Sequence, residues 1–490
     1  MFQAVSAVAK RPKADMIIVP FFQGKKGPEL AVSISDLKDS INLITQAGDF
    51  SGKAGSTMLA YLKGKKEKRM LLLGVGKESD ITVESLRRSY SACIKRCKNK
   101  KWPHVNLILP KSKKLTDSDI YQGIVESIGL SSYLFEELKS KANQEAFYIK
   151  RISLVGAKDV KEAKKIESLM SGVNLARDLI IGNATDITPQ ALGNCAKELG
   201  KRYTNVKATV LDKKRLEKEK MGLLLAVGRS SEFDPALIQL EYTGNPTSKD
   251  VTLVVGKGIT YDTGGLNLKP TGSIEDMRCD MGGGAAAIGI IKAAAALKLK
   301  ANIVSIIPST ENAIGPTSYK PGDVYRSYCG KTVEITNTDA EGRLALADAL
   351  SYGQKYFSPS RIIDLATLTG AVMVALGNER AGFYSNDDKL AKSCETSGEK
   401  TGDLVWRLPL DADYKKYLKS TIADIKNCST KRLAGSVTAA IFLQEFIEKK
   451  TPWIHLDIAG TAFLDSPRHY HLTQATGSGV RLVIDMIQSF

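Results

Sequence analysis

Histidine is scarce in this chain. Its 490 residues include only His104, His455, His469 and His471, and no HExxH pair occurs. A zinc centre of the two-histidine helical kind is therefore excluded, and any metal chemistry must rest on carboxylates. Cysteine is sparse as well: seven residues, odd in number and dispersed, which argues against a disulfide framework. Cys93 and Cys97 have no second Cys/His pair nearby, so a zinc knuckle is not supported. Long apolar runs are missing too. "AAAIGIIKAAAALK" at 285–298 contains a lysine and is too short to span a bilayer. At the N-terminus Lys10 and Arg11 follow the first apolar residues, the reverse of a signal peptide. These features predict a cytoplasmic chain with no membrane partner.

Negative charge is in deficit. Lys and Arg total 70 against 53 Asp and Glu, a formal net charge of +17. Lysines gather at 63–69, 95–101, 111–114 and 213–220. Aromatics are not interleaved there apart from Trp102, so a base-stacking platform is not supported. Solvated loops and helix faces account for such runs; an anionic-surface or DNA-binding patch is the alternative.

What the chain has in quantity is apolar residues, 43% of the total, ample for a large core spread over about two to four domains. Residues 1–157 alternate buried-strand patterns, "MIIVPFF" (16–22), "MLLLGVG" (70–76) and "VNLILP" (105–110), with a helical one at 85–100. That alternation predicts a smaller N-terminal α/β domain with a mostly parallel sheet. "GVGKES" lacks the first glycine of a phosphate loop, Leu71 standing there. A helical period over 158–180, through Leu169, Val173, Leu175, Leu179 and Ile180, predicts a long connecting helix. Residues 181–490 alternate again, with strand candidates at 251–256, 302–309, 333–337, 361–370 and 453–460 and helices at 284–298, 342–357 and 435–449. This predicts a larger C-terminal α/β catalytic domain around a central mixed sheet.

Four polar stretches fall at the ends of those strands, where open α/β sheets bind their ligands. They are "VVGKGITYDTGGLNLK", "MRCDMGGG", "ITNTDAEGRL" and "ATLTG". Asp262, Asp280, Asp339 and Glu341 sit in them beside glycine or alanine rather than in charged runs. Carboxylates converging without compensation would repel and desolvate badly, and divalent cations relieve both costs. Lys257, Lys269 and Arg343 lie in the same segments. A lysine near a metal either loses its proton and ligates, or stays charged and stabilises an oxyanion. Turn stabilisation and helix capping would also explain each aspartate taken singly. The spacing alone leaves metal site and structural caps both open.

All four of these stretches also carry a resemblance. "NTDAEGRL" (337–344) looks like the signature of the leucyl aminopeptidase, or cytosol aminopeptidase, family. "GKGITYDTGGLNLK" and "DMRCDMGGGAA" are similar to its two metal-ligand segments, and "DLATLTGAVMVALG", "AGSVTAAIFLQEF" and "HLDIAGTA" extend the match. It runs from about residue 170 to the C-terminus. The resemblance implies a dinuclear aminopeptidase with two divalent ions per subunit, Mn or Zn, with Mg also open. Asp262 and Glu341 would bridge them, Lys257 and Asp280 would complete the tighter site, and Asp339 the more exchangeable one. Lys269 would polarise the scissile carbonyl, and Arg343 would hold a bicarbonate or a water. Met277, Thr367, Gly370 and Ala459 would line a pocket for leucine-like side chains, with Ala462 a further position. His469 and His471 are expected on a surface loop. The resemblance also implies a homohexamer of two trimers acting on short peptides.

Overall fold

The structure is a computed structural model. It describes residues 1–63, 66–141, 147–431 and 433–490, so the lysine run at 63–69 lies partly outside the described residues. The chain divides into two compact units: Met1–Met170 with Ser466–Thr473, and Ser171–Asp465 with Gln474–Phe490.

In the first unit the apolar segments pair as a seven-stranded sheet. Phe2–Val5, Arg151–Val155, His104–Ile108, Met16–Gln23 and Arg69–Gly76 run parallel; Thr57–Tyr61 and Pro28–Leu30 pair antiparallel at its margin. Near-continuous apolar runs suit strands covered on both faces, and Ile17, Val19, Phe21, Met70 and Leu72 are all buried in one cluster. The helix Val83–Asn99 begins with Thr82 and Ser85 capping each other.

The segment 466–473 belongs to this first unit although it lies late in the chain. Within it His469 is exposed, as a surface loop requires, but His471 is buried and pairs with Arg468 in a tight turn. The burial of His471 corrects the expectation for that residue.

The predicted long helix is Lys161–Ile181. Its buried stripe runs through Ala163, Ile166, Met170, Val173, Ala176 and Ile180, so Leu169 and Leu175 flank the stripe at half-buried positions.

The second unit is built on a nine-stranded mixed sheet. Asn302–Asn312, Val251–Gly256, Arg361–Ala366 and Trp453–Asp457 lie side by side and parallel at its centre. Antiparallel strands flank them, Ala236–Thr243 on one side and Ala381–Ser385 on the other. Two helices, Gly282–Leu297 and Gly342–Phe357, pack on the central strands. The helical run Met277–Leu297 is long and apolar enough to cross a membrane by composition, yet 83% of its apolar window is buried within the protein. It is a core helix. The predicted strand at 333–337 is not part of the large sheet. Only Thr332–Glu334 is extended, and it joins a separate three-stranded sheet with Val324–Arg326 and Ile425–Lys426.

Candidate metal centre

The C-terminal ends of the parallel strands meet at one place. Val251–Gly256 ends at Lys257, Asn302–Asn312 ends on Asn312, Arg361–Ala366 runs into Thr367, and Trp453–Asp457 leads to Ala459. This is where the topology of an open parallel sheet leaves a crevice. The loop after Gly258–Asp262 and the turn before Gly342–Phe357 fold over it.

Asp262, Asp280 and Glu341 converge there. All three are buried, and one ligand atom from each lies within 4.8 Å of the others. Lys257 Nζ stands 2.8 Å from Asp280 Oδ2, 2.9 Å from Glu341 Oε1 and 3.0 Å from the Thr367 carbonyl. Lys269 Nζ stands 2.8 Å from Asp262 Oδ2 and 2.6 Å from Asp339 Oδ1. Asp339 thus joins the group through Lys269 and is the least buried of the four carboxylates.

Small residues permit this crowding. A Cβ at Gly342 would sit 2.4 Å from Lys257 Cε, so the motif needs glycine there for the lysine to pass. A Cβ at Gly283 would sit 2.0 Å from the Leu365 carbonyl, which is why the Asp280-bearing segment can press against the sheet.

The electrostatics are those of a charge cluster out of water. Burial, then the neighbouring Glu341, raises the Asp262 carboxyl. Burial holds Asp280 well above its ordinary value and raises Asp339. Burial alone would lower Lys257, but Asp280, Glu341 and Asp262 outweigh it and raise the ammonium's pKa. Lys269 is raised in the same way, chiefly by Asp262. Three or four acids sharing one dry pocket favour any added positive charge.

The donor set fits divalent cations. Its oxygens are hard, buried and mutually close. Glu341 Oε2, in addition, accepts no hydrogen bond among the described residues, although it is shielded from water. A lysine facing cations in place of carboxylates would lose the influence that now holds its proton.

The remaining predicted residues take distinct places. Arg343 is buried in the first turn of Gly342–Phe357 and donates from Nη1 to the Asn427 carbonyl at 3.0 Å; its Nε has no partner among the described residues. The Thr367 hydroxyl donates to Asp280 Oδ1 at 2.9 Å, so this residue holds a carboxylate as well as forming wall. Met277 and Ala459 are half-buried, and a Cβ on Gly370 would meet open space. Ala462 is buried against Gly282.

Two residues escaped the sequence reading. Asn312 donates to Asp262 Oδ1 at 2.7 Å. Asn427 donates to the Asn337 carbonyl at 2.7 Å and accepts from the Thr336 backbone at 2.8 Å, bracing the "NTDAEGR" turn. Both are fully buried asparagines at strand ends, where the residue type alone signals only a turn.

Buried carboxylates and lysines at the crevice of a mixed α/β sheet fit a metal-dependent hydrolase. Comparison with known proteins narrows this. The model of the cytosol aminopeptidase family catalytic domain matches residues 174–484, and that of its N-terminal domain matches residues 18–142. A probable cytosol aminopeptidase of Protochlamydia amoebophila is 48% identical over 98% of this chain and 97% of its own length. One of Chlamydia felis is 42% identical over 100% of this chain and 99% of its own. Among solved structures, the bottromycin maturation enzyme BotP in complex with Mn superposes with a TM-score of 0.86 at 28% identity, covering 97% of this chain and 99% of its own. The chain belongs to the cytosol aminopeptidase family. It is a hydrolase, a metal-dependent aminopeptidase.

Proposed function

We propose that the chain removes single N-terminal residues from short peptides, favouring leucine-like ones, at a centre of two divalent cations, Mn or Zn. The observation that carries this is the buried convergence of Asp262, Asp280 and Glu341, with Asp339 beside them. Asp262, Asp280, Asp339, Glu341 and a neutral Lys257 would hold the cations, which when bound supply Lewis-acid activation of water and an anchor for the substrate amine. An anchor for a free amine explains action at the N-terminus and not within a chain.

Lys269 is the cationic group of the cluster with the most exposed side chain, 15% against 3% for Lys257, so it can reach a substrate carbonyl and stabilise the developing oxyanion. Arg343 is fixed by Asn427, and its Nε, without a partner among the described residues, would hold a small anion such as bicarbonate, which would accept a proton there. Met277, Thr367, Gly370 and Ala459 would offer small or apolar groups to the substrate side chain, and the open space at Gly370 would leave room for a branched one. Cytoplasmic action on peptides is consistent with the description of the chlamydial relatives as cytosol aminopeptidases.

The experiment is hydrolysis of leucyl, alanyl, lysyl and glutamyl anilides with added Mn²⁺ or Zn²⁺, on wild type and Glu341→Ala. The leucyl compound should be cleaved fastest, and the variant should lose the activity. Full activity in Glu341→Ala, or none with metal in wild type, would sink the reading.

A further inference from the structure

We propose that Asn312 is a positioning residue for the metal centre: it commits one oxygen of Asp262 to the protein and leaves Oδ2 as the oxygen offered to cations. The inference rests on the two-cation reading and deepens it.

Asp262 Oδ1 accepts from Asn312 Nδ2 at 2.7 Å and from the Gly264 backbone at 2.8 Å. Two N–H donors occupy both lone pairs of that oxygen. Oδ2 faces the lysine instead, 2.8 Å from Lys269 Nζ. Oδ2 is then the Asp262 oxygen that would be offered to a cation.

The orientation of the Asn312 amide is not arbitrary. Nδ2 also donates to the Thr338 carbonyl at 3.0 Å, so both of its neighbours are acceptors and only the NH₂ end can face them. The other end, Oδ1, receives no hydrogen bond among the described residues, although the side chain is fully buried. An unpaired buried carbonyl is costly, and a fold staple would not need it. The donor end is what the position requires.

The same amide links the two ligand segments. The Thr338 carbonyl accepts from Tyr319 as well, at 2.6 Å, and the Asp339 N–H is held by Asn337 Oδ1 at 2.8 Å. The peptide plane between Thr338 and Asp339 is therefore fixed from both sides. The Thr338 hydroxyl donates to the Gly264 carbonyl at 2.7 Å, and its N–H donates to Asn267 Oδ1 at 2.8 Å. Asn312 thus sets the aim of Asp262 and the placement of Asp339 through one side chain. Metal ligands held by such outer partners lose about 10–100-fold in affinity when the partner is removed.

The test uses the full-length protein, Mn²⁺ as the probe in chelator-buffered titrations, and Co²⁺ substitution to read ligand geometry from its visible spectrum. Asn312→Leu keeps the volume, adds no charge and removes the donors. It should weaken Mn²⁺ about 10–100-fold and alter the Co²⁺ spectrum. Tyr319→Phe removes one of the two bonds to the Thr338 carbonyl while leaving the core filled. It should weaken Mn²⁺ less than Asn312→Leu and leave the Co²⁺ spectrum near that of wild type. If Asn312→Leu fails to fold, Asn312→Ser, whose short side chain cannot span the two contacts the amide makes, carries the same expectation of weakened Mn²⁺. Folded variants at Asn312 with wild-type Mn²⁺ affinity and an unchanged Co²⁺ spectrum would overturn the proposal. A wild type that binds no Mn²⁺, Zn²⁺ or Co²⁺ would instead overturn the two-cation reading beneath it.

Discussion

Lys257 and Lys269 share the same carboxylate cluster yet stand in different surroundings. Lys257 is enclosed by Asp280, Glu341 and the Thr367 carbonyl. Lys269 reaches in from a loop toward Asp262 and Asp339 and keeps some contact with solvent. Only the second is free to meet a substrate. Lys269→Ala should therefore lower kcat by about 10²–10³-fold while Mn²⁺ affinity stays close to that of wild type. Steady-state rates paired with Mn²⁺ titration check this, and an unchanged kcat would count against it. At this scale the carboxylates that converge were legible because glycine and alanine surround them, which marks close backbone approach. Asn312, Asn427 and the hydroxyl of Thr367 were not. Their partners lie 50, 90 and 87 positions away in the chain, and an asparagine or threonine at a strand end looks the same whether or not such a partner exists.

The helix Gly342–Phe357 follows directly on Glu341 and is anchored by its interior. Asp348, fully buried, accepts from the N–H groups of Leu223 and Leu224 at 2.9 and 3.0 Å and from that of Tyr328 at 2.7 Å. Leu223 and Leu224 lie in the first turn of Gly222–Gly228, so Asp348 serves that helix as a cap supplied from elsewhere in the fold. Burial pushes the Asp348 carboxyl up to about 7, although the N–H groups of Leu224, Tyr328 and Leu223 pull it down. A carboxyl raised from an ordinary 3.8 keeps its proton in the folded state after the unfolded chain has lost it. Stability from this group should thus be full below about pH 4, fall as pH rises through about 7, and stay level beyond. Thermal unfolding of wild type and Asp348→Asn across pH 4–8 isolates the effect as a difference that declines over that window. A flat difference would refute it. The predicted strands at 251–256 and 453–460 and the helix at 342–357 emerged nearly as expected, since long apolar or strongly periodic segments are packed by the core they predict. The strand at 333–337 shrank to Thr332–Glu334 in a minor sheet, because its β-branched residues serve a turn held by Asn427.

On the scale of the whole molecule, every proposed metal ligand belongs to the unit Ser171–Asp465 with Gln474–Phe490, and none to the other. A cation that binds only the folded form stabilises it by about 2.7 kcal/mol at 100 times its Kd. Scanning calorimetry with and without chelator should therefore shift the transition of the catalytic unit and leave that of the N-terminal unit in place. Equal shifts of both, or of neither, would contradict the assignment. The division into two α/β units was foreshadowed by the shift from lysine-rich to glycine-rich alternation. The return of 466–473 to the first unit had no sequence signal, because a short polar segment looks like a loop wherever it is seated. The order of the central strands carries one more consequence. Arg361–Ala366 lies between Val251–Gly256 and Trp453–Asp457 and runs into Thr367, whose carbonyl accepts from Lys257 and whose hydroxyl donates to Asp280. On a ribosome, Lys257 and Asp280 emerge 110 and 87 residues before that threonine. The nascent polypeptide therefore carries both charged side chains before the segment that fixes them has been made.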